Sequence, residues 1–129
     1  MTGVDLIKVL VVDDGVETAE AFAEALREHG IDVVATASNG SEAVTLVHAL
    51  RPQVVLMDVR MPVMDGIKAT RVITAAGTST KILMMTAFDD DSLVNEAMEA
   101  GADGYLVKGT LVADTVQAIR SAVSKPKPA

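Results

Sequence analysis

Two hydrophobic textures alternate along the chain. Short, nearly unbroken apolar runs rich in β-branched residues occupy positions 7–12, 33–37, 54–57, 82–85 and 105–107. Runs of this kind predict strands buried on both faces of a sheet. Between them lie longer stretches with a helical period. Ala19, Phe22 and Leu26 share one face ahead of Gly30, and Ala43, Val44, Val47 and Leu50 share another ahead of Arg51 and Pro52. A third stretch starts near Asp65, carries Ile67, Thr70 and Ile73, and stops at Gly77. The fourth follows Asp89, Asp90 and Asp91, with Leu93, Val94, Ala97 and Met98 before Gly101; the fifth carries Val112, Val116, Ile119 and Val123. These spacings and glycine stops predict amphipathic helices. Five β–α units with short connections predict an α/β domain, a parallel sheet covered on both faces and wound right-handed.

The pattern stops at residue 124. The following Lys-Pro-Lys-Pro-Ala cannot continue a helix and suits a semi-rigid linker. The expected organisation is therefore one domain over 1–124 and the start of a connector over 125–129.

Composition narrows the chemistry. The 129 residues are half hydrophobic, enough for a core without disulfides or a structural metal. With Phe22, Phe88 and Tyr105 as the sole aromatic residues, that core is aliphatic. The absence of Cys excludes disulfides, thiolate metal sites and thiol catalysis. His29 and His48 are too few for a His-rich metal site, and each sits near a helix C-terminus, where the dipole suits it. A net charge of −7 argues against nucleic-acid binding by this domain. No apolar run approaches the roughly 20 residues that span a bilayer. The first run carries Lys8 and ends at Asp13, unlike a signal peptide. A soluble, cytoplasmic domain without membrane contact is expected.

In an open parallel sheet, sites form beyond the C-terminal ends of the strands. The first predicted strand runs into Asp13 and Asp14, the third into Asp58, the fourth into Thr86 and the fifth into Lys108. Singly, each has an ordinary role. Asp14 with Glu17 resembles a helix cap, Asp58 and Thr86 resemble turn residues, Lys108 a solvated loop residue, and Asp89, Asp90 and Asp91 suit a helix start. Together on one rim they form a definite chemical set. Three carboxylates without His or Cys suit Mg²⁺. One carboxylate is then free to act as a nucleophile toward a phosphoryl group, with the hydroxyl and the ammonium holding its oxygens.

Four segments carry these residues: 11–14 (Val-Val-Asp-Asp), 56–66 (Leu-Met-Asp-Val-Arg-Met-Pro-Val-Met-Asp-Gly), 85–87 (Met-Thr-Ala) and 101–109 (Gly-Ala-Asp-Gly-Tyr-Leu-Val-Lys-Gly). In wording and spacing they resemble the receiver domain of bacterial two-component response regulators, over residues 5–124. The resemblance implies a flavodoxin-like (βα)5 fold with strand order 2-1-3-4-5. It implies that Asp58 accepts a phosphoryl group from a phosphohistidine of a sensor histidine kinase. Asp13, Asp14, Asp58 and the main-chain carbonyl of Arg60 would hold Mg²⁺, and Thr86 and Lys108 would contact the attached phosphoryl group. Tyr105 would turn inward as Thr86 moves, switching the face made by the fourth helix, fifth strand and fifth helix. Such faces act by homodimerisation or by releasing an output domain.

The wording after Asp58 and Thr86 is similar to the NarL/FixJ group, which places a LuxR-type helix-turn-helix after the connector; a stand-alone receiver acting by protein–protein contact is the alternative. Gly15 and Gly109 depart from the commoner polar residues at those positions. Phe88, with Arg60, is expected to cover the acyl phosphate and slow its hydrolysis. An aspartyl phosphohydrolase similar to haloacid dehalogenases is a weaker match, because its acids alternate after the first strand and it needs a cap insertion. A pseudo-receiver is disfavoured by the presence of all five strand-end groups.

Overall fold

A computed structural model of the chain describes residues 6–87 and 91–126. Five strands alternate with five helices: β1 (Lys8–Val12), α1 (Val16–Glu28), β2 (Asp32–Ala37), α2 (Gly40–Leu50), β3 (Val54–Asp58), α3 (Gly66–Ala75), β4 (Lys81–Thr86), α4 (Asp91–Ala100), β5 (Gly104–Val107) and α5 (Val112–Ser124). The strands form one parallel sheet in the order β2-β1-β3-β4-β5. This is the flavodoxin-like (βα)5 arrangement expected above. No helix among the described residues is long and apolar enough to cross a membrane.

The central strands explain the unbroken apolar runs. Successive side chains of a strand point to opposite faces, and here both faces are covered. Val9, Val11, Val54, Leu56 and Leu83 pack under α1 and α5, against Ala23, Leu26, Val116 and Ile119. Leu10, Val12, Val55, Met57, Ile82 and Met84 pack on the other side, against Val47, Ile67, Ile73 and Ala97 from α2, α3 and α4. Two aliphatic cores thus sandwich the sheet and hold the strand ends at one level.

Three local features differ from the sequence reading. First, β5 is not buried on both faces: Tyr105 and Val107 are exposed while Leu106 packs inward. As the last strand in the order, β5 has a free edge and one uncovered face. Second, Leu50 is 40% exposed at the end of α2, where Arg51 takes a left-handed conformation (φ 49°) and turns the chain away. Third, pairing of β1 with β2 jumps from Val9↔Val33 to Leu10↔Ala35. This bulge skips Val34 and reverses the facing of the strand, so Val33 joins one core and Ala35 and Ala37 the other.

Candidate functional site

Because each helix runs back antiparallel to its strand, the C-terminal strand ends and the helix N-termini open on the same rim. The partial positive charge of those N-termini favours anions there. The end of β1 leads into Asp13, whose Oδ1 accepts from the Gly15 amide at 2.8 Å. That turn makes Gly15 the N-cap of α1, with no side-chain capping bond. Asp14 therefore does not cap the helix, the role its residue type alone would suggest; it is exposed on the rim, beside the other acids. Asp58 and Thr86 are the last residues of β3 and β4, and both are buried. The Lys108 amide donates to the Thr86 carbonyl at 2.6 Å, tying the loop after β5 to the end of β4.

The side chains converge as the sequence implied. Lys108 Nζ lies 2.7 Å from Asp58 Oδ2 and 3.4 Å from Asp13 Oδ2. Asp13, Asp14 and Asp58 each offer a carboxylate oxygen within 4.8 Å of the others. A pocket of about 290 Å³ is lined by Asp14, Asp58, Arg60, Thr86 and Lys108, together with Val59, Met85, Ala87 and Leu93. Thr86 Oγ1 is buried and has no hydrogen-bond partner among the described residues. A buried hydroxyl without an acceptor is costly, and it marks a place for an incoming polar group.

Burial, the largest cause, pushes the Asp58 carboxyl above its usual range; the Lys108 hydrogen bond and charge pull it down, and the charges of Asp13 and Asp14 raise it again. Partial burial pulls the Lys108 ammonium down, but the hydrogen bond and charge of Asp58, with Asp13, outweigh it and hold Lys108 above its ordinary value. Lys108 is thus a cation held over the acid cluster, ion-paired with Asp58 and Asp13, and among the described residues Asp14 makes no ion pair. All-oxygen donors at this mutual distance fit a hard divalent cation such as Mg²⁺.

The backbone behind Asp58 is held by α3. Asp65 caps that helix, accepting from the Lys68 amide at 2.8 Å, and the Gly66 amide donates to the Val59 carbonyl at 2.8 Å. A Cβ on Gly66 would stand 2.1 Å from the Asp58 carbonyl oxygen, so only glycine allows the helix to seat this close. Gly66 closes the motif over 56–66, and residue type alone assigns it no role. The signal for it is an acid–glycine pair at a helix start, seven and eight residues after the strand-end acid. Met85 and Leu93 wall the pocket; the apolar pattern places Met85 in a strand and Leu93 on a helix face and gives neither a part in the site. Gly109 adopts φ 92°, a left-handed conformation that favours glycine over the larger residues common at that position. Tyr105 stands apart from the pocket, 44% exposed on β5. Phe88, Asp89 and Asp90, and with them the expected cover of the site, lie outside the described residues.

Comparison with known proteins agrees with this geometry. The chain is 45% identical over 112 residues to the transcriptional regulatory protein LnrK of Bacillus subtilis, covering 86% of this chain and 50% of that protein. It is 42% identical over 124 residues to the transcriptional regulatory protein LiaR of the same organism, covering 95% of this chain and 58% of LiaR. The chain thus spans about half the length of the curated relatives it matches. Among solved structures, the signal receiver domain of NarL from Mycobacterium tuberculosis superposes with a TM-score of 0.88 at 30% identity, covering 93% of this chain and 98% of that one. A LuxR-family response regulator from Aurantimonas gives 0.87 at 31%, covering 95% and 89%. Residues 9–120 match the response regulator receiver domain model, and the chain belongs to that family.

Proposed function

We propose that this receiver domain is switched by phosphorylation of Asp58 in the bacterial cytoplasm, by a phosphohistidine of a sensor histidine kinase. The observation that carries the reading is the pairing of a buried Asp58 carboxylate, held by Lys108, with the unpartnered buried hydroxyl of Thr86 lining the same pocket. An Asp58 oxygen attacks phosphorus as the P–N bond breaks, and that bond's electron pair leaves with the imidazole. The product is an acyl phosphate on Asp58. Lys108 then exchanges part of its contact with Asp58 for a phosphoryl oxygen, and Thr86 Oγ donates to another. Asp13, Asp14, Asp58 and the Arg60 carbonyl would hold Mg²⁺, which when bound supplies the positive charge that screens the acids from the incoming phosphoryl oxygens. A solved relative, a chain of the CheX–CheY–BeF3–Mg complex from Borrelia burgdorferi, superposes with a TM-score of 0.83 at 30% identity.

Movement of Thr86 toward the phosphoryl group opens space that Tyr105 on the adjacent strand can enter, and this repacks the α4–β5–α5 face. Met98, Tyr105 and Val107 are the exposed apolar groups that make that face a contact surface, for a second copy or for an output domain. The regulatory names of the relatives, and the remaining length of them that this chain does not span, support an output that controls transcription, carried by a helix-turn-helix domain beyond the 125–129 connector. The test is incubation with Mg²⁺ and acetyl phosphate, read by intact mass. Wild type gains one phosphoryl group and Asp58→Ala gains none; equal labelling of both would overturn the assignment.

A further inference from the structure

Lys81 opens β4 at the rim opposite the acids, and among the described residues it is the sole buried lysine, 7% exposed. Burying an ammonium is unfavourable unless its donors are matched. Here Nζ donates to the Ala122 carbonyl at 3.0 Å and to the Lys125 carbonyl. Ala122 lies in the last turn of α5; Lys125 is its C-cap, in an extended conformation, and Pro126 follows.

A helix end leaves carbonyls without intrahelical partners and carries partial negative charge. α5 has no glycine to close it and no basic residue in its last turn. Its end is satisfied in other ways. Ser124 Oγ donates to the Ser121 carbonyl at 2.9 Å, the Lys125 amide donates to Ala122 at 3.3 Å, and the cation comes from β4, more than forty positions earlier in the chain.

We propose that Lys81 is a positioning residue: a buried clamp that fixes the end of α5 to the sheet and sets the direction in which the chain leaves the domain. The segment from residue 125 therefore does not begin as a free linker; its first carbonyl is anchored. Lys125 and Pro126 also line a cleft of about 250 Å³ together with Tyr105, so the anchored exit borders the residue proposed as the switch. That consequence rests on the phosphorylation reading above; the clamp itself does not.

Two measurements test the clamp without using Asp58. In ¹⁵N-labelled wild type, the Lys81 side-chain ammonium exchanges protons with water about tenfold or more slowly than those of exposed Lys8 and Lys68. Equal rates would overturn the proposal. In Lys81→Met, the backbone amides of residues 123–125 exchange with deuterium about tenfold faster than in wild type, while those of β1 and β3 keep their protection and acetyl phosphate still labels Asp58. Unchanged protection at 123–125 in the folded variant would also overturn it. Should Lys81→Met not fold, Lys81→Arg, which keeps a cation and several donors, retains the protection at 123–125 if the clamp exists and loses none elsewhere; the wild-type ammonium measurement stands in either case. Failure of wild type to take up phosphate would overturn the phosphorylation reading and leave both clamp measurements intact.

Discussion

Replacing Lys108 by Met removes the cation that is ion-paired with Asp58 and Asp13 among the described residues, while keeping most of the side-chain stem. At an effective dielectric near 20, opposite charges at the observed 2.7 Å and 3.4 Å attract by about 6 and about 5 kcal/mol. Those gross values are offset by the desolvation of both partners and by water around Lys108, whose side chain is 35% exposed. A net loss of about 1–3 kcal/mol at neutral pH is expected. The sign of its pH dependence follows from Asp58. Burial already holds that carboxyl above its usual range, and Lys108 supplies both of the influences that lower it. Without Lys108 the folded-state value rises further. A carboxyl whose folded value exceeds its unfolded one binds more protons when folded, so stability falls as pH climbs from the unfolded value through the folded one. The variant is therefore close to wild type near pH 4 and falls progressively below it toward pH 7. The assay is urea denaturation across that range, with and without Mg²⁺. Added Mg²⁺ stabilises the variant more than wild type, because the acids then lack their internal cation. A deficit that stays constant from pH 4 to 7, or one below about 0.5 kcal/mol at pH 7, would refute this account of the site.

Other consequences are accessible to the same methods. Thr86→Val removes a buried hydroxyl that has no partner among the described residues, so the unfolding free energy holds or rises by up to about 1 kcal/mol while phosphorylation by acetyl phosphate slows. A clear loss of stability would mean that the hydroxyl is already satisfied. Gly66→Ala drives a methyl into the Asp58 carbonyl and costs about 3 kcal/mol or displaces α3; a midpoint equal to wild type would show that the helix seats more loosely. Val63 is 85% exposed and holds φ 69°, a left-handed conformation that is unfavourable for a β-branched residue. Val63→Asn, whose side chain tolerates it, gains about 1 kcal/mol in denaturation, and no gain would argue against strain in this loop.

The legible part of the site is the part that strand geometry fixes. A buried parallel strand needs apolar residues on both faces, so each run and its polar terminus can be located from residue type alone. That is why Asp58 and Thr86 are found as the last residues of β3 and β4. Capping was less legible. Asp14 and Glu17 have the composition of a helix start, yet Asp13 bonds the Gly15 amide and moves the cap one residue on. The partner of a side chain depends on a local turn whose geometry residue identity does not dictate.

By itself, the sequence determined the alternation of strands and helices, the aliphatic core and the five strand-end groups, because burial and periodicity act on neighbouring residues. Tertiary structure alone decided the rest. It set the bulge that turns β2 over, the exposure of Tyr105 on an edge strand and the seating of Gly66 against Asp58. It also left Thr86 without a partner and brought Lys81 to the end of α5. Each of these depends on which surfaces meet across tens of residues, and such contacts are chosen by the packing of the whole domain.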